Sequence, residues 1–181
     1  TCALPISDAA ALGAKEGAKL AVNVASMLIA FLGLVAMVNG LLAWIGAGVG
    51  WPQLSLEWIF SLLFAPVAWL MGVPWGDCGQ VGVLLGKKTI LNEFIAYLDL
   101  KTLIENAQKG DMVNVISERS QIIATYALCG FSNIGSIAVQ IGGISTIAPS
   151  RQIDLAKLGV RAMIGGSIAC FMTACIAGIL L

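Results

Sequence analysis

The sequence predicts an all-α membrane protein, made of transmembrane helices, a re-entrant helical hairpin and one helix broken near the membrane midplane. The first observation behind this is composition. Hydrophobic residues make up 59% of the chain against 11% charged, mean hydropathy is +0.92, and the apolar residues form long runs in place of the interrupted stripes of a soluble helix. The second is residues 76–106, where Lys87, Lys88, Asn92 and Glu93 interrupt two apolar pieces that are each too short to cross a bilayer alone. The third is Cys129-Gly130-Phe131-Ser132-Asn133-Ile134-Gly135-Ser136, a polar, glycine-marked break between the apolar runs 122–128 and 137–144.

Taken in order, residues 1–7 look foreign. Thr1-Cys2-Ala3-Leu4-Pro5-Ile6 resembles the translation of a common short-read sequencing adapter, so the native sequence is expected to begin near Asp8, with the N-terminal part of the gene missing. The stretch lacks the charged and apolar regions of a signal peptide. Residues 8–52 form the first unit. An Ala-rich helical lead-in runs to Lys19, then residues 20–45 carry no charge, with Asn23, Ser26 and Asn39 as the notable polar groups, a length that spans with tilt. Lys15 and Lys19 flank its start and favour an inside N-terminus, while Trp44 and Trp51 suit the opposite interface.

Residues 53–75 carry Glu57, Trp58, Pro66 and Trp69, a pattern that fits an interfacial helix better than a span. The remainder, 76–181, divides into the hairpin 76–106, a polar link, the broken helix 118–147 and a final transmembrane helix 153–181. Half-length helices with a polar tip are permitted in a membrane only where protein packs around them. At the break, glycine lowers helix propensity and Ser and Asn compete for backbone hydrogen bonds, so the helix unwinds and restarts near Ser136. Each half then covers about 16 Å, half of a bilayer core of about 30 Å, and the tip around residues 89–93 is expected to meet the break. Discontinuous helices at this depth build substrate sites in many secondary transporters.

The last helix has Arg151, Lys157 and Arg161 at its start and no later charge, which puts the C-terminus outside. The basic residues between, Lys87, Lys88, Lys101, Lys109 and Arg119, fall in the hairpin and the link and are set aside from that count. Ala162, Gly166, Cys170, Ala174 and Gly178 recur every four residues as a small-residue face that lets another helix approach.

Composition also excludes functions. Ten basic and ten acidic residues with no His leave no basic patch for nucleic acid. The five cysteines, Cys2, Cys78, Cys129, Cys170 and Cys175, lack metal spacing, so neither a metal site nor a disulfide is expected. With no His and no partnered Ser nucleophile, a membrane enzyme using Glu93 as base is unsupported, and no catalytic residue is assigned.

Gly86-Lys87-Lys88-Thr89-Ile90-Leu91-Asn92-Glu93-Phe94-Ile95-Ala96-Tyr97, with Cys129-Gly130-Phe131-Ser132-Asn133-Ile134-Gly135-Ser136-Ile137 and Ile141-Gly142-Gly143-Ile144, resembles the concentrative nucleoside transporters. The resemblance covers residues 8–181, roughly the C-terminal half of a bacterial member. It implies half of an inverted-repeat transporter, assembled as a homotrimer in the bacterial inner membrane and importing nucleosides with sodium or protons. By the resemblance, residues 20–45 are the scaffold helix at the trimer contact, 54–71 lie along the membrane surface, and the coupling-ion site lies outside this chain. Glu93 and Asn133 match positions that hydrogen-bond the ribose hydroxyls, Ser136 a further polar contact, and Phe131 an aromatic wall of the pocket. The chain departs from the family pattern at Ser132, where Ala is usual, and at Gly135, where Ser is common. No enzymatic cofactor is implied.

Plain structural roles compete with these. Glu93 could pair with Lys87 or Lys88, Asn133 could cap a half-helix, Ser136 could bond local backbone and Phe131 could simply pack. Lys87 and Lys88 read as solvated or ion-paired, without a role. Asn23 and Asn39 read as helix-joining groups. The rival function is a channel, or a transporter of another small polar solute, using the same hairpin and break. A channel needs a polar face through the whole membrane, whereas the polar residues here cluster at one depth.

Overall fold

The computed structural model describes residues 5–52, 54–108 and 115–181, and among these residues it is helical with no strand. The foreign-looking segment 1–7 lies outside the described residues up to residue 4, as do residues 109–114 of the polar link. The chain divides into one unit ending at Val38 and another running from Asn39 to Leu181. The first unit is the greater part of α1 (Ile6–Val49), so the Ala-rich lead-in and the apolar stretch are one helix. Lys19 pairs there with Glu16 at 2.9 Å, and Val22, Ile29, Leu34 and Met37 point outward, as lipid-facing side chains do. The side chain of Asn23 lies outside the described residues.

The second unit opens with the last turns of α1. Asn39 reaches the start of α2 (Leu56–Leu70), where its Oδ1 accepts from Leu56 N at 2.8 Å and its Nδ2 donates to both Glu57 oxygens at 3.3 and 3.0 Å. An orphan helix N–H and a carboxylate are thereby satisfied by one amide, the helix-joining role expected of it. Ser55 caps α2 from its hydroxyl. At 15 residues, about 22 Å, α2 is shorter than a bilayer core.

It packs along α3 (Cys78–Ile90), with the Phe60 ring against Gly86. After Leu91 and Asn92 the chain turns back as α4 (Glu93–Gln108), and Asn92 Oδ1 accepts from Ile95 N at 2.9 Å to cap it. Lys87 pairs with Asp99 across the two arms at 2.8 Å.

The broken helix is α5 (Glu118–Leu128) and α6 (Ile134–Ile147), with the break at residues 129–133. α3 and α5 run side by side in the same direction. At their starts Asp77 Oδ2 accepts from Ser120 Oγ at 2.5 Å, Ser117 Oγ at 2.7 Å and Ser117 N at 3.0 Å. Partial burial pushes the Asp77 carboxyl up, but these serine hydrogen bonds outweigh it and hold the group below its ordinary value. A core of Val81, Leu84, Leu85, Ala96, Leu100, Ile123, Ala124, Ala127 and Leu128 joins the hairpin to α5.

α7 (Gln152–Leu180) is the one described helix long and apolar enough to cross a membrane by the usual test. It runs antiparallel to the whole broken helix. Gly178 faces Ile123, Cys170 faces Gly130, Gly166 faces Ser132, and Gly159 faces Ile137 and Ile141. The small-residue face therefore tracks the broken helix across its break, except that Ala162 is exposed and Gly159 serves in its place. The bulky side chains Ile164, Ile168, Met172, Ile176 and Ile179 point the other way. At the far end Arg119 donates to Gly72 O at 3.1 Å and to Gly178 O, fastening α5 to the ends of α2 and α7.

Candidate functional site

Two helix N-termini meet where the hairpin tip touches the break. Glu93 is the first residue of α4, and Asn133 is the N-cap of α6. Asn133 Nδ2 donates to Glu93 Oε2 at 3.1 Å, while its Oδ1 accepts from Ser136 N at 2.7 Å. Ser136 Oγ accepts from Asn133 N at 3.1 Å and donates to Asn133 O at 2.6 Å, completing a reciprocal capping box. A helix N-terminus carries about +0.5 of an elementary charge, so the carboxylate of Glu93 is favoured where it stands. Glu93 Oε1 takes no part in the bond to Asn133.

The structure thus brings Glu93, Asn133 and Ser136 into one hydrogen-bonded group. Asn133 and Ser136 are 2% and 1% exposed. Phe131 lies in the same break with its side chain 48% exposed. The capping role weighed for Asn133 is present together with its contact to Glu93. The suggested pairing of Glu93 with Lys87 gives way to the Lys87–Asp99 ion pair.

Unwinding the helix frees carbonyl groups that would be costly if left unpaired inside a membrane. Each finds a donor. Thr125 O accepts from Tyr97 Oη at 2.8 Å, Ala127 O from Lys88 Nζ at 2.9 Å, and Cys129 O from the Cys170 thiol at 3.2 Å. Tyr126 O and Gly130 O accept from backbone, Cys129 N at 3.2 Å and Ser132 N at 2.9 Å. Gly130 is needed for close approach, since a methyl added there would overlap Cys170 Sγ. Ser132 Oγ is the exception: it is buried and makes no hydrogen bond among the described residues.

Lys88 corrects the expectation of a solvated or ion-paired side chain without a role. It is 1% exposed, and its ammonium lies 5.8 Å from the centroid of the Phe171 ring. Tyr97 and Cys170 were likewise missed. A signal for Lys88 was present, because Cys78, Val81, Leu85 and Lys88 recur at helical spacing and all are buried.

Comparison with known proteins gives this geometry a family. A family model described as Na+ dependent nucleoside transporter C-terminus matches residues 3–178. Solute carrier family 28 member 3 of Homo sapiens is 50% identical over 179 residues, covering 96% of this chain and 26% of that protein. Sodium/nucleoside cotransporter 1 of Rattus norvegicus is 43% identical over 96% of this chain and 28% of its own length. An uncharacterized transporter of Haemophilus influenzae is 44% identical, with 96% and 41% covered. The solved structure of CNTnw in an inward-facing substrate-bound state superposes with a TM-score of 0.85 at 42% identity, over 98% of this chain and 42% of that one. The chain thus spans less than half the length of these relatives. With the family model matched almost from end to end, the chain belongs to the Na+ dependent nucleoside transporter C-terminus family, a family of transporters and not of enzymes.

Proposed function

We propose that the protein imports nucleosides by cation-coupled symport and that this chain supplies one side of the substrate site. The observation that carries the reading is the Glu93–Asn133 contact between two helix N-termini. A carboxylate accepts from hydroxyl donors, and an amide both donates and accepts, which together suit the vicinal diol of a ribose. An ionisable side chain inside a membrane marks a functional site by default. In this reading Glu93 and Asn133 bind the sugar hydroxyls, Ser136 gives a further polar contact while holding the cap, and Phe131 walls the pocket.

No bond of the substrate is broken. Transport requires only that affinity differ between conformations of the protein. The sodium-dependent family description supports sodium as the coupling ion, with protons the alternative, and its site is placed outside this chain. We further propose a homotrimer, with the exposed apolar side chains of α1 available for its contacts, in the bacterial inner membrane. The Haemophilus relative supports that location.

The test is uptake of radiolabelled uridine by cells expressing the chain within its intact gene, with and without a sodium gradient. Saturable uptake that both Glu93→Gln and Asn133→Ala abolish at matched membrane abundance supports the site. Equal uptake in all three reduces these residues to structural groups, and sodium-independent uptake driven by a proton gradient changes the ion. Non-saturable flux would favour the channel.

A further inference from the structure

Lys88 is the buried charge that the proposed site does not use. It lies in the last turn of α3 and crosses to the last turn of α5, where Ala127 O accepts from it at 2.9 Å. Both helix ends carry partial negative charge and orphan carbonyls, so a single ammonium neutralises two C-termini. The ammonium also stands beside the break, since a methyl built on Gly130 would lie 3.9 Å from Nζ. Phe171 of α7 closes the other side with its ring. Glu93 and Asn133 hold the N-terminal ends at the same junction, so the site is a pair of opposite charges set on the matching ends of four half-helices.

Half-helix C-termini and unwound carbonyls are where broken-helix transporters hold a coupling cation. We infer that Lys88 is a resident cation: a tethered ammonium that takes the place of a bound ion at the end of α5 and so positions Asn133 and Glu93 for substrate. It touches no substrate; it is a positioning residue acting through the carbonyl of Ala127 and the break. The inference rests on the nucleoside reading for its transport readout and on the geometry alone for its stability readout.

Lys88→Ala removes three carbons and the ammonium, the shape of n-propylammonium. In the protein expressed from its intact gene, K88A at matched membrane abundance is expected to raise the uridine KM about tenfold or more, the loss typical of a hydrogen bond to a charged group. Millimolar propylammonium is expected to restore uptake and to raise the thermal unfolding midpoint of K88A in detergent. 1-Propanol, equal in size but neutral, is expected to do neither. An unchanged KM overturns the inference, as does rescue by the alcohol equal to that by the amine, or no rescue by the amine. If K88A fails to reach the membrane, Lys88→Gln is measured in the same way, and a wild-type KM for K88Q overturns the inference. If neither variant accumulates, Lys88 serves folding and the inference falls. Absence of saturable uptake in wild type strikes the nucleoside reading instead, and the amine-specific thermal rescue then decides the role of Lys88.

Discussion

Replacing Asn133 in two ways separates its two jobs. The side chain caps α6 through Oδ1 and binds Glu93 through Nδ2. Asn133→Ala removes both functions, and loss of an N-cap costs about 0.5–2 kcal/mol. Asn133→Ser keeps a capping oxygen of nearly equal quality, so it is expected to retain stability within a few tenths of a kcal/mol. It cannot span the gap that Asn133 bridges at 3.1 Å to Glu93 Oε2. Glu93 is only half-buried, so water takes the vacated place without a large folding cost.

The substrate is then recognised by one partner in place of two. A hydrogen bond to a charged group contributes about 1.5–3 kcal/mol, and each 1.4 kcal/mol is about tenfold in an equilibrium. The uridine KM of N133S should therefore rise about tenfold or more while its unfolding midpoint stays at the wild-type value. N133A should lose on both measures. Uptake of radiolabelled uridine and thermal unfolding of the detergent-purified protein provide the two readouts. The reasoning is refuted if N133S transports with a wild-type KM, or if it unfolds as early as N133A.

Ser132→Ala removes a buried hydroxyl that has no partner, a group whose burial costs about 1–3 kcal/mol, and should raise the unfolding midpoint by about 2–4 °C per kcal/mol gained; a lowered midpoint would show that the hydroxyl has a partner. Gly178→Ala places a methyl on the Met71 carbonyl, so an overpacking cost of about 1–3 kcal/mol should exceed the gain of about 1 kcal/mol in helix propensity; a midpoint at or above wild type would contradict this contact. Asp77 has its folded pKa depressed, so its serine contacts stabilise the protein above the ordinary carboxylate range, and that contribution is lost as pH falls through the folded pKa. The stability difference between wild type and Asp77→Asn should accordingly be constant from about pH 6 to 8 and close as the pH drops below about 4; a gap that persists in acid would rule the carboxylate out as its source.

The helical fold was legible because its signals are local. An uncharged run from 20 to 45, a Gly-Phe-Ser-Asn interruption and a cap followed three residues later by Ser136 each announce a helix, a break or a start without help from the rest of the chain. The meeting of Glu93 with Asn133 was legible because both fall at half-length breaks, which the bilayer brings to one depth. The partners of the freed carbonyls were not legible. Cys170 bonds Cys129 O from 41 residues away, and Tyr97 bonds Thr125 O from 28, distances over which sequence carries no spacing signal. Lys88 was misread because its charge was weighed alone, while its place on the buried stripe of α3, in register with Val81 and Leu85, went unused. Residue types disclose helix ends well; they disclose poorly which distant donor answers a backbone acceptor.

The supports of the break are lopsided: Lys88, Tyr97 and Cys170 give through side chains, whereas Thr125, Ala127 and Cys129 receive through main-chain oxygens. A peptide carbonyl survives nearly any replacement of the residue that bears it. Divergence can thus rewrite the exposed positions Thr125 and Cys129 while leaving the contacts in place, but a single change at Lys88 removes one outright. In a saturation scan, the visible constraint should accordingly fall on the helices around the break more heavily than on the exposed residues of the broken segment itself.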